Sequence, residues 1–276
     1  MNKRTLISRV AGVLVLFGTA LFVMAANVQA QVAPIIIPLS QPGKPMTLDF
    51  NMLSAKLEVI GEARNDVSVE VSGGESKRRI ITPSGSKPIN AASYQLKAYE
   101  DGNDVVVRSS WNSSAPRVVV RLPRDAGLRV RLTNNSTMLI RDVRGDMDLK
   151  NVNGPITVRG AAGAVIAESV NQDVKIGWAT VGDFGASSLL TVNGDLELGL
   201  PPSAGAEVHI DTSRGDIVSD YDIEVMPAKA NVTRSKQGSG TEIRVDKVIV
   251  GRIKGGGPTF LMKTLNGDIS IRDSSE

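Results

Sequence analysis

Apolar and polar residues alternate with a period of two along most of the chain after residue 46. Residues 67–71 (VSVEV) are the strictest example, and this alternation is typical of half-buried β-strands. Residues 101–104 (DGND) separate two such runs, at 94–99 and 105–108, which predicts a β-hairpin there. We find no helical periodicity after residue 30, so the pattern predicts an all-β protein.

A short unit of the form apolar-Asn-Gly-Asp-apolar recurs six times, most clearly at residues 191–198 (TVNGDLEL) and 264–271 (TLNGDISI). The glycine position of the six copies is occupied by Gly145, Gly154, Gln172, Gly194, Gly215 and Gly267. Asn-Gly usually signals a two-residue hairpin, but a hairpin would place Val192 on the opposite face from Leu196 and Leu198. A bent, extended segment through the glycine would keep all three on one core face, so we predict a corner instead.

Repeated corners of this kind predict a β-solenoid, in which successive levels stack and bury a continuous core. The spacings of 18, 22 and 21 residues between successive glycine positions suggest levels of roughly twenty residues. The spacing of nine between Gly145 and Gly154 suggests two corners of one level. A sandwich of ordinary hairpins is the alternative, and antiparallel hairpins are expected near the N-terminal end in either case.

The first thirty residues predict a secretory signal peptide. A basic start precedes an apolar run at 10–24 and small residues before Ala30, the predicted cleavage point. The run is shorter than the roughly twenty residues of a membrane-spanning helix, so we expect no membrane span after cleavage. Residues 31–46 contain four prolines and are predicted as a lead-in to a single β-solenoid domain at 47–276.

Composition narrows the classes of function. The signal peptide contains three of the 32 Lys and Arg residues and none of the 29 Asp and Glu residues. The exported chain is therefore expected to carry 29 basic and 29 acidic residues. This neutrality gives no reason to expect binding to nucleic acid or to an anionic membrane. The absence of Cys excludes thiol catalysis, and the single His209 excludes a two-histidine metal site. We expect no cofactor, and export to the periplasm or the cell surface.

The repeated units, together with strand ends at Leu122-Pro123 and Leu200-Pro201 and the closing residues 255–271, resemble a known family. Over residues 50–272 the sequence is similar to the bacterial "putative adhesin" domains, which are exported, of unassigned function, and related to autotransporter-adhesin heads. The resemblance implies a right-handed parallel β-helix-like solenoid at the envelope, and supplies no catalytic residues. Gln172, Arg144 and Arg214 depart from the family pattern, which bears on the register of the repeats.

The acidic residue after the glycine position is the best candidate for chemistry. Five of the six copies have an aspartate there: Asp146, Asp173, Asp195, Asp216 and Asp268. A stacked column of carboxylates could bind Ca²⁺, but the nonapeptide pattern of calcium-binding β-rolls is absent and Asn-Gly-Asp is ordinary turn chemistry. We therefore predict no metal site, and a structural role for Gly145, Gly154, Gly194, Gly215, Gly267, Asp195 and Asp268.

Other candidates have equally simple structural explanations. A sugar-cleaving enzyme needs two suitably spaced carboxylates, and Asp146 with Asp148, or Asp195 with Glu197, share a strand face, as residues of a solvated face also do. An Arg-rich stretch could bind an anionic glycan or lipid headgroup, but the acidic residues among it indicate a mixed solvent face. Its members are Arg117, Arg121, Arg124, Arg129, Arg131, Arg141 and Arg144.

The remaining candidates are His209, which alternates with apolar neighbours and is expected to be structural, and the isolated Trp111 and Trp178. Either tryptophan could cap an end of the core or stack on a sugar. The predicted function is a non-enzymatic, adhesin-like binding or scaffold protein of the envelope. Its expected partner is an envelope protein or a glycan, with self-association through the solenoid edges. A polysaccharide-active enzyme and an envelope regulatory or accessory protein are the alternatives.

Overall fold

Every regular element in the described part of the chain is a β-strand, which confirms the all-β prediction. The computed structural model describes residues 34–72, 96–109, 115–134, 136–227, 231–237, 240–246 and 248–274. The strands of the first half are β1 (Ile35–Pro38), β2 (Thr47–Met52), β3 (Lys56–Glu62), β4 (Asp66–Ser72), β5 (Leu96–Asp101), β6 (Asp104–Ser109), β7 (Arg117–Pro123), β8 (Gly127–Leu132), β9 (Thr137–Arg141), β10 (Met147–Asn151) and β11 (Ile156–Ala161). Those of the second half are β12 (Val165–Ser169), β13 (Val174–Trp178), β14 (Ser187–Leu190), β15 (Leu196–Leu200), β16 (Ala206–Arg214), β17 (Ile217–Ser219), β18 (Glu224–Met226), β19 (Asn231–Gln237), β20 (Gly240–Asp246), β21 (Ile249–Ile253), β22 (Thr259–Asn266) and β23 (Ile269–Asp273).

The strands form two large mixed sheets and one small one. Sheet A has ten strands in the order β1-β4-β7-β3-β9-β11-β13-β15-β23-β17. Sheet B has eleven, in the order β18-β21-β16-β22-β14-β12-β10-β8-β2-β6-β5. β19 and β20 form a separate antiparallel pair.

Consecutive strands in the middle of the chain lie in alternate sheets. β8, β10, β12 and β14 are parallel neighbours in sheet B, and β9, β11, β13 and β15 are parallel neighbours in sheet A. The register is continuous, since Val158 pairs with Ile140 on one side and with Ile176 on the other. We use "level" for a strand of sheet B together with the strand of sheet A that follows it in sequence.

The levels do not stack in the order of the sequence. Their spatial order is β6–β7, β2–β3, β8–β9, β10–β11, β12–β13, β14–β15, β22–β23 and β16–β17. The first level of the chain and the last one are therefore both inserted between other levels. The spacing of 21 residues between Gly194 and Gly215 predicts adjacent levels, and this prediction is wrong. The level β22–β23 lies between β14–β15 and β16–β17, and its Asp268 bonds to Asp216, 52 residues away.

Antiparallel strands cover one end of the parallel stack in both sheets, and the other end in sheet B only, because sheet A ends there at the parallel strand β17. In sheet B, β5 pairs antiparallel with β6, which confirms the predicted hairpin at 101–104. In sheet A, β4 pairs antiparallel with both β1 and β7. At the other end β21 pairs antiparallel with β16, and β18 with β21, which the sequence did not reveal. Such strands occupy backbone groups that would otherwise be free to pair with another chain.

The core lies between the two sheets, and it is filled by the inward-facing alternate residues of both. Trp178 is buried, packs edge-on against Phe260 with ring centroids 5.0 Å apart, and donates from Nε1 to the carbonyl of Gly163 at 3.1 Å. β13 lies in the middle of sheet A, so Trp178 does not cap an end of the core. Trp111 lies outside the described residues.

The side-chain phase at the repeats differs from the prediction at one position. Val192 is 40% exposed and Leu265 is 45% exposed, whereas Thr191 and Leu196 are buried. The predicted single apolar face is wrong there, because the chain changes direction between the exposed residue and the next strand. The exclusion of a two-residue hairpin is confirmed, since the strands that flank the corner, β14 and β15, lie in different sheets.

Within the described ranges, no helix is long and apolar enough to cross a membrane. The predicted signal peptide and the start of the lead-in lie outside those ranges. Of the lead-in, Ile35–Pro38 pairs at the edge of sheet A as β1. The domain limits at 31–46 and 47–276 stay predictions.

Candidate functional site

The repeat glycines lie at two different corners. The first corner leads from a strand of sheet B into the following strand of sheet A, and its stacked glycine positions are Gly154, Gln172, Gly194, Gly267 and Gly215. Gly145 lies at the second corner, which leads from sheet A into sheet B ahead of β10. The spacing of nine residues between Gly145 and Gly154 therefore joins the two corners of one level, as predicted, but the six copies form no single column.

Close backbone packing explains why glycine recurs at the first corner. A Cβ added to Gly267 would lie 2.0 Å from the carbonyl oxygen of Gly194, and one added to Gly194 would lie 2.5 Å from that of Gln172. Both glycines have positive φ, of 154° and 155°. Only a residue without Cβ fits both the conformation and the distance to the neighbouring level.

Asparagines stack along the outside of the first corner. The side-chain Nδ2 of each donates to Oδ1 of the one on the level before, at 3.2, 2.8, 3.1 and 2.8 Å. The ladder consists of Asn134, Asn153, Asn171, Asn193 and Asn266. Arg214 occupies the next position in register, beside Asn266. The asparagines of the repeat therefore bond one level to the next.

The predicted Asp column is present, and its carboxylates accept hydrogen bonds from the backbone. Oδ1 of Asp173 accepts from the N–H of Asp195 at 3.0 Å, and Oδ1 of Asp195 accepts from the N–H of Asp268 at 2.9 Å. Oδ1 of Asp268 accepts from the N–H of Asp216 at 2.8 Å. Asp146 is not in this column, since it lies at the second corner and accepts from the N–H of Ala164 at 2.9 Å.

A third ladder lies inside the corner. The Thr191 hydroxyl donates to the carbonyl of Gln172 at 3.0 Å, and the buried Thr264 hydroxyl donates to that of Gly194 at 3.1 Å. Thr212 donates likewise to the carbonyl of Gly267 at 3.1 Å. Together the three ladders engage the Asn, Asp and Thr side chains of the first corner. Among the described residues no group of three or more His, Cys, Asp and Glu is arranged to hold a metal ion.

Asp148 and Glu197 of the predicted carboxylate pairs, and part of the Arg-rich stretch, form ion pairs across strands. Arg131 binds Asp148, and Lys175 lies 3.5 Å from Glu197. Arg117 and Arg141 both approach Glu58, at 2.9 and 3.3 Å. Four residues of the Arg-rich stretch thus lie on a mixed solvent face, as predicted: Arg117, Arg121, Arg131 and Arg141. Arg124, Arg129 and Arg144 form no ion pair within the described residues.

The single histidine lies on the outer face of sheet B. His209 Nε2 is 2.8 Å from Oε1 of Glu207 on the same strand, and both side chains are about one-third exposed. The neighbours Val208 and Ile210 point into the core. The pair thus belongs to the surface of β16, in line with the expected structural position.

An open groove runs along the ends of the sheet A strands and the second corner. It consists of three adjoining concavities of about 720, 450 and 590 Å³. The 720 and 450 Å³ concavities share the lining residues Arg124 and Arg144. The 450 and 590 Å³ concavities share Gly160 and Ala179, so the three concavities are continuous. The groove spans the levels from β7 to β23, six strand spacings, or roughly 29 Å at about 4.8 Å per strand.

The floor of the last concavity is made of two neighbouring glycines. Gly177 pairs in register with Arg159 on one side and with Gly199 on the other, and Gly199 pairs with Arg272. A Cβ added to Gly177 would meet only the carbonyl oxygen of Val158, at 3.8 Å, so the space above Gly177 is open. Glycine inside a strand marks a place where a ligand or another backbone can approach closely.

Sequence reasoning missed this groove. Gly177 and Gly199 interrupt the polar positions of two strands, and that is the local signal that could have drawn attention to them. They become neighbours because β13 pairs with β15, and the sequence of either strand alone does not predict that pairing.

The groove is lined by exposed cationic side chains. In the part of the chain that the structure describes, Arg144 and Arg159 have no ion pair, while Arg272 pairs with Asp220 at 2.9 Å. The lining also contains five acidic residues, Glu62, Asp125, Asp142, Glu197 and Asp273. The groove therefore offers guanidinium donors interspersed with carboxylate acceptors.

Among the residues that the structure describes, two titratable groups have a shifted pKa, and both lie near the ends of the stack. Hydrogen bonds from the Ser40 hydroxyl and from the backbone of Asn103 and Ser40 lower the pKa of Glu100. Burial, and then the charges of Asp273 and Asp220, raise the pKa of Tyr221.

Comparison with known proteins gives a distant structural likeness and no family. No protein-family model matches the chain, and no curated protein does. A crystal structure described as a putative cell adhesion protein from Clostridium sporogenes is similar over 87% of this chain and 97% of its own, at 12% identity and a TM-score of 0.41. That likeness is too distant to assign an activity.

Proposed function

We propose that the protein is an exported, non-catalytic β-solenoid of the bacterial envelope, adhesin-like in its role, which binds or scaffolds a partner along its outer surface. The parallel, in-register strands that alternate between two sheets support a solenoid winding. A right-handed winding follows from the strong preference of parallel β crossovers for that hand.

The observation that carries the proposal is that the polar residues of the repeat bond to one another. The Asn, Asp and Thr ladders engage the side chains that could have formed a repeated chemical site. What the levels leave for a partner is their outer face, where the groove along the second corner lies open. A stack of this kind offers an extended surface suited to a long partner.

The location rests on the predicted signal peptide, which would take the chain out of the cytoplasm. An envelope protein or a glycan is the proposed partner, and nucleic acid is not, since the exported chain carries 29 basic and 29 acidic residues. Self-association through the edge strands β1, β5, β17 or β18 would be a further property of such a stack.

The test incubates the immobilised protein with envelope extract and with purified envelope glycans as competitors. Retention of an envelope component is then measured together with the appearance of new reducing ends. Retention without new reducing ends supports the proposal. New reducing ends would contradict it in favour of a polysaccharide-active enzyme, and the absence of any retained component would contradict it outright. Cell fractionation checks the envelope location.

A further inference from the structure

We propose that the groove along the second corner binds a linear anionic polysaccharide, with guanidinium groups holding its acidic groups and the Gly177–Gly199 floor holding a sugar ring. This inference deepens the proposed function and rests on it, since it names the ligand class of the outer surface. The groove runs across seven neighbouring strands of sheet A, so a chain-like ligand fits its length better than a compact molecule.

The charges of the groove indicate an anionic ligand. Arg124, Arg144, Arg159 and Arg272 lie along it in that spatial order, and all four side chains are exposed. Guanidinium groups present planar forks of donors that match carboxylates and sulfates. Arg144 and Arg159 have no ion pair within the described residues and are therefore free to bind.

The acidic residues in the groove indicate a polysaccharide rather than a nucleic acid or an acidic peptide. Asp142 is exposed and lines the middle concavity together with Arg124 and Arg144. Asp142 repels any polyanion, but its carboxylate accepts hydrogen bonds from sugar hydroxyls, which an acidic peptide of Asp and Glu lacks. A chain whose rings carry both acidic groups and several hydroxyls satisfies both kinds of lining group.

The floor explains how a ring could reach the sheet. The neighbouring outward positions of β13 and β15 are both glycine, so neither strand places a side chain of its own over the backbone there. The space above Gly177 is open, and Ser274 borders the buried Gly199, with its Cβ 3.4 Å from where a Cβ of residue 199 would lie. Arg159 and Arg272 stand on either side of this bare surface, three strand spacings or roughly 14 Å apart. The bare strip is therefore bounded by two cationic side chains.

Isothermal titration with polygalacturonate, a linear polymer of uronic acids, tests the site. Dextran sulfate replaces carboxylate by sulfate, dextran is the neutral comparison, and polyglutamate is the acidic peptide. The test variants are R144Q/R159Q and Gly177→Val, whose Cβ has space. Arg129→Gln is the matched control, because Arg129 is exposed on sheet B, away from the groove. Circular dichroism verifies that each variant is folded.

The expected result is binding of polygalacturonate, dextran sulfate or both, but not of dextran or polyglutamate. Binding should weaken about tenfold in R144Q/R159Q and in Gly177→Val, stay unchanged in Arg129→Gln, and fall as salt rises. Equal binding of dextran or polyglutamate would overturn the anionic-polysaccharide assignment. Polysaccharide binding that neither groove variant weakens would overturn the location.

The two proposals fail separately. If no polysaccharide binds but the immobilised wild type retains an envelope protein, the inference is overturned and the binding function stands. If polygalacturonate binds in the groove and new reducing ends appear, the site stands and the non-catalytic function is overturned.

Discussion

Replacing Gly267 by alanine tests the packing of the levels at the first corner. The new Cβ would lie 2.0 Å from the carbonyl oxygen and 2.6 Å from the carbonyl carbon of Gly194, both of them backbone atoms of the adjacent level. Neither can rotate away as a side chain would. The levels must therefore separate locally, or the backbone of residue 267 must leave its φ of 154°.

The cost has two parts. A residue with Cβ held in a sparsely populated backbone region costs about 1–3 kcal/mol, and overpacking at a tight contact costs about 1–3 kcal/mol more. We expect the free energy of unfolding to fall by about 4 kcal/mol. For a chain of this size that corresponds to a melting temperature lower by roughly 8–16 °C.

Thermal and urea unfolding followed by circular dichroism measure the loss, and Gly177→Ala provides the control. The Cβ of that variant meets only one oxygen, at 3.8 Å, and Gly177 lies outside the set of positive-φ residues. Its stability should stay within about 1 kcal/mol of the wild type. Equal stability of the two variants would refute the reasoning that the glycine column is required by contact between levels.

Three further predictions concern other contacts. Thr264→Val removes a buried hydroxyl bonded to the carbonyl of Gly194 and should lower the free energy of unfolding by about 1 kcal/mol, measured by urea titration; no loss would argue against the Thr ladder. Trp178→Ala empties a fully packed site and should cost about 3–5 kcal/mol in the same assay, whereas a cost below 1 kcal/mol would place the ring outside the core. The lowered pKa of Glu100 means that its ionised form stabilises the fold above the unfolded-state pKa, and that this stabilisation disappears as pH falls through the folded-state pKa. Ser40→Ala should raise the pKa of Glu100 toward its ordinary value in an NMR titration, and an unchanged titration would contradict the role of the hydroxyl.

The sequence predicted the local elements well, because local features determine them. Alternation located strands such as β4, and the DGND turn located the hairpin of β5 and β6. The phase argument correctly excluded a hairpin at residues 191–198, but it failed at Val192. Its error was to extend alternation through a corner, where Gly194 adopts a backbone angle that strands do not use.

The stacking order could not be read from the sequence, because several repeats compete for the same neighbour. Residues 212–219 and 264–271 are both repeats that could stack on residues 191–198. The second of them does so, and its β23 lies between β15 and β17. The open groove was missed for a related reason, since Gly177 and Gly199 become neighbours only through strand pairing.

Cysteine crosslinking tests the stacked corners most directly, and the absence of native Cys leaves the engineered pair as the only thiols. Asn193 and Asn266 lie on adjacent levels with their side chains 2.8 Å apart, whereas Arg214 lies one level further on. Adjacent levels are about 4.8 Å apart, within the Cα separation of a disulfide, and two levels are about 9.6 Å apart, beyond it. Under mild oxidation N193C/N266C should form an intramolecular disulfide and N193C/R214C should not. A disulfide in the second pair and none in the first would contradict the order of levels on which the account is built.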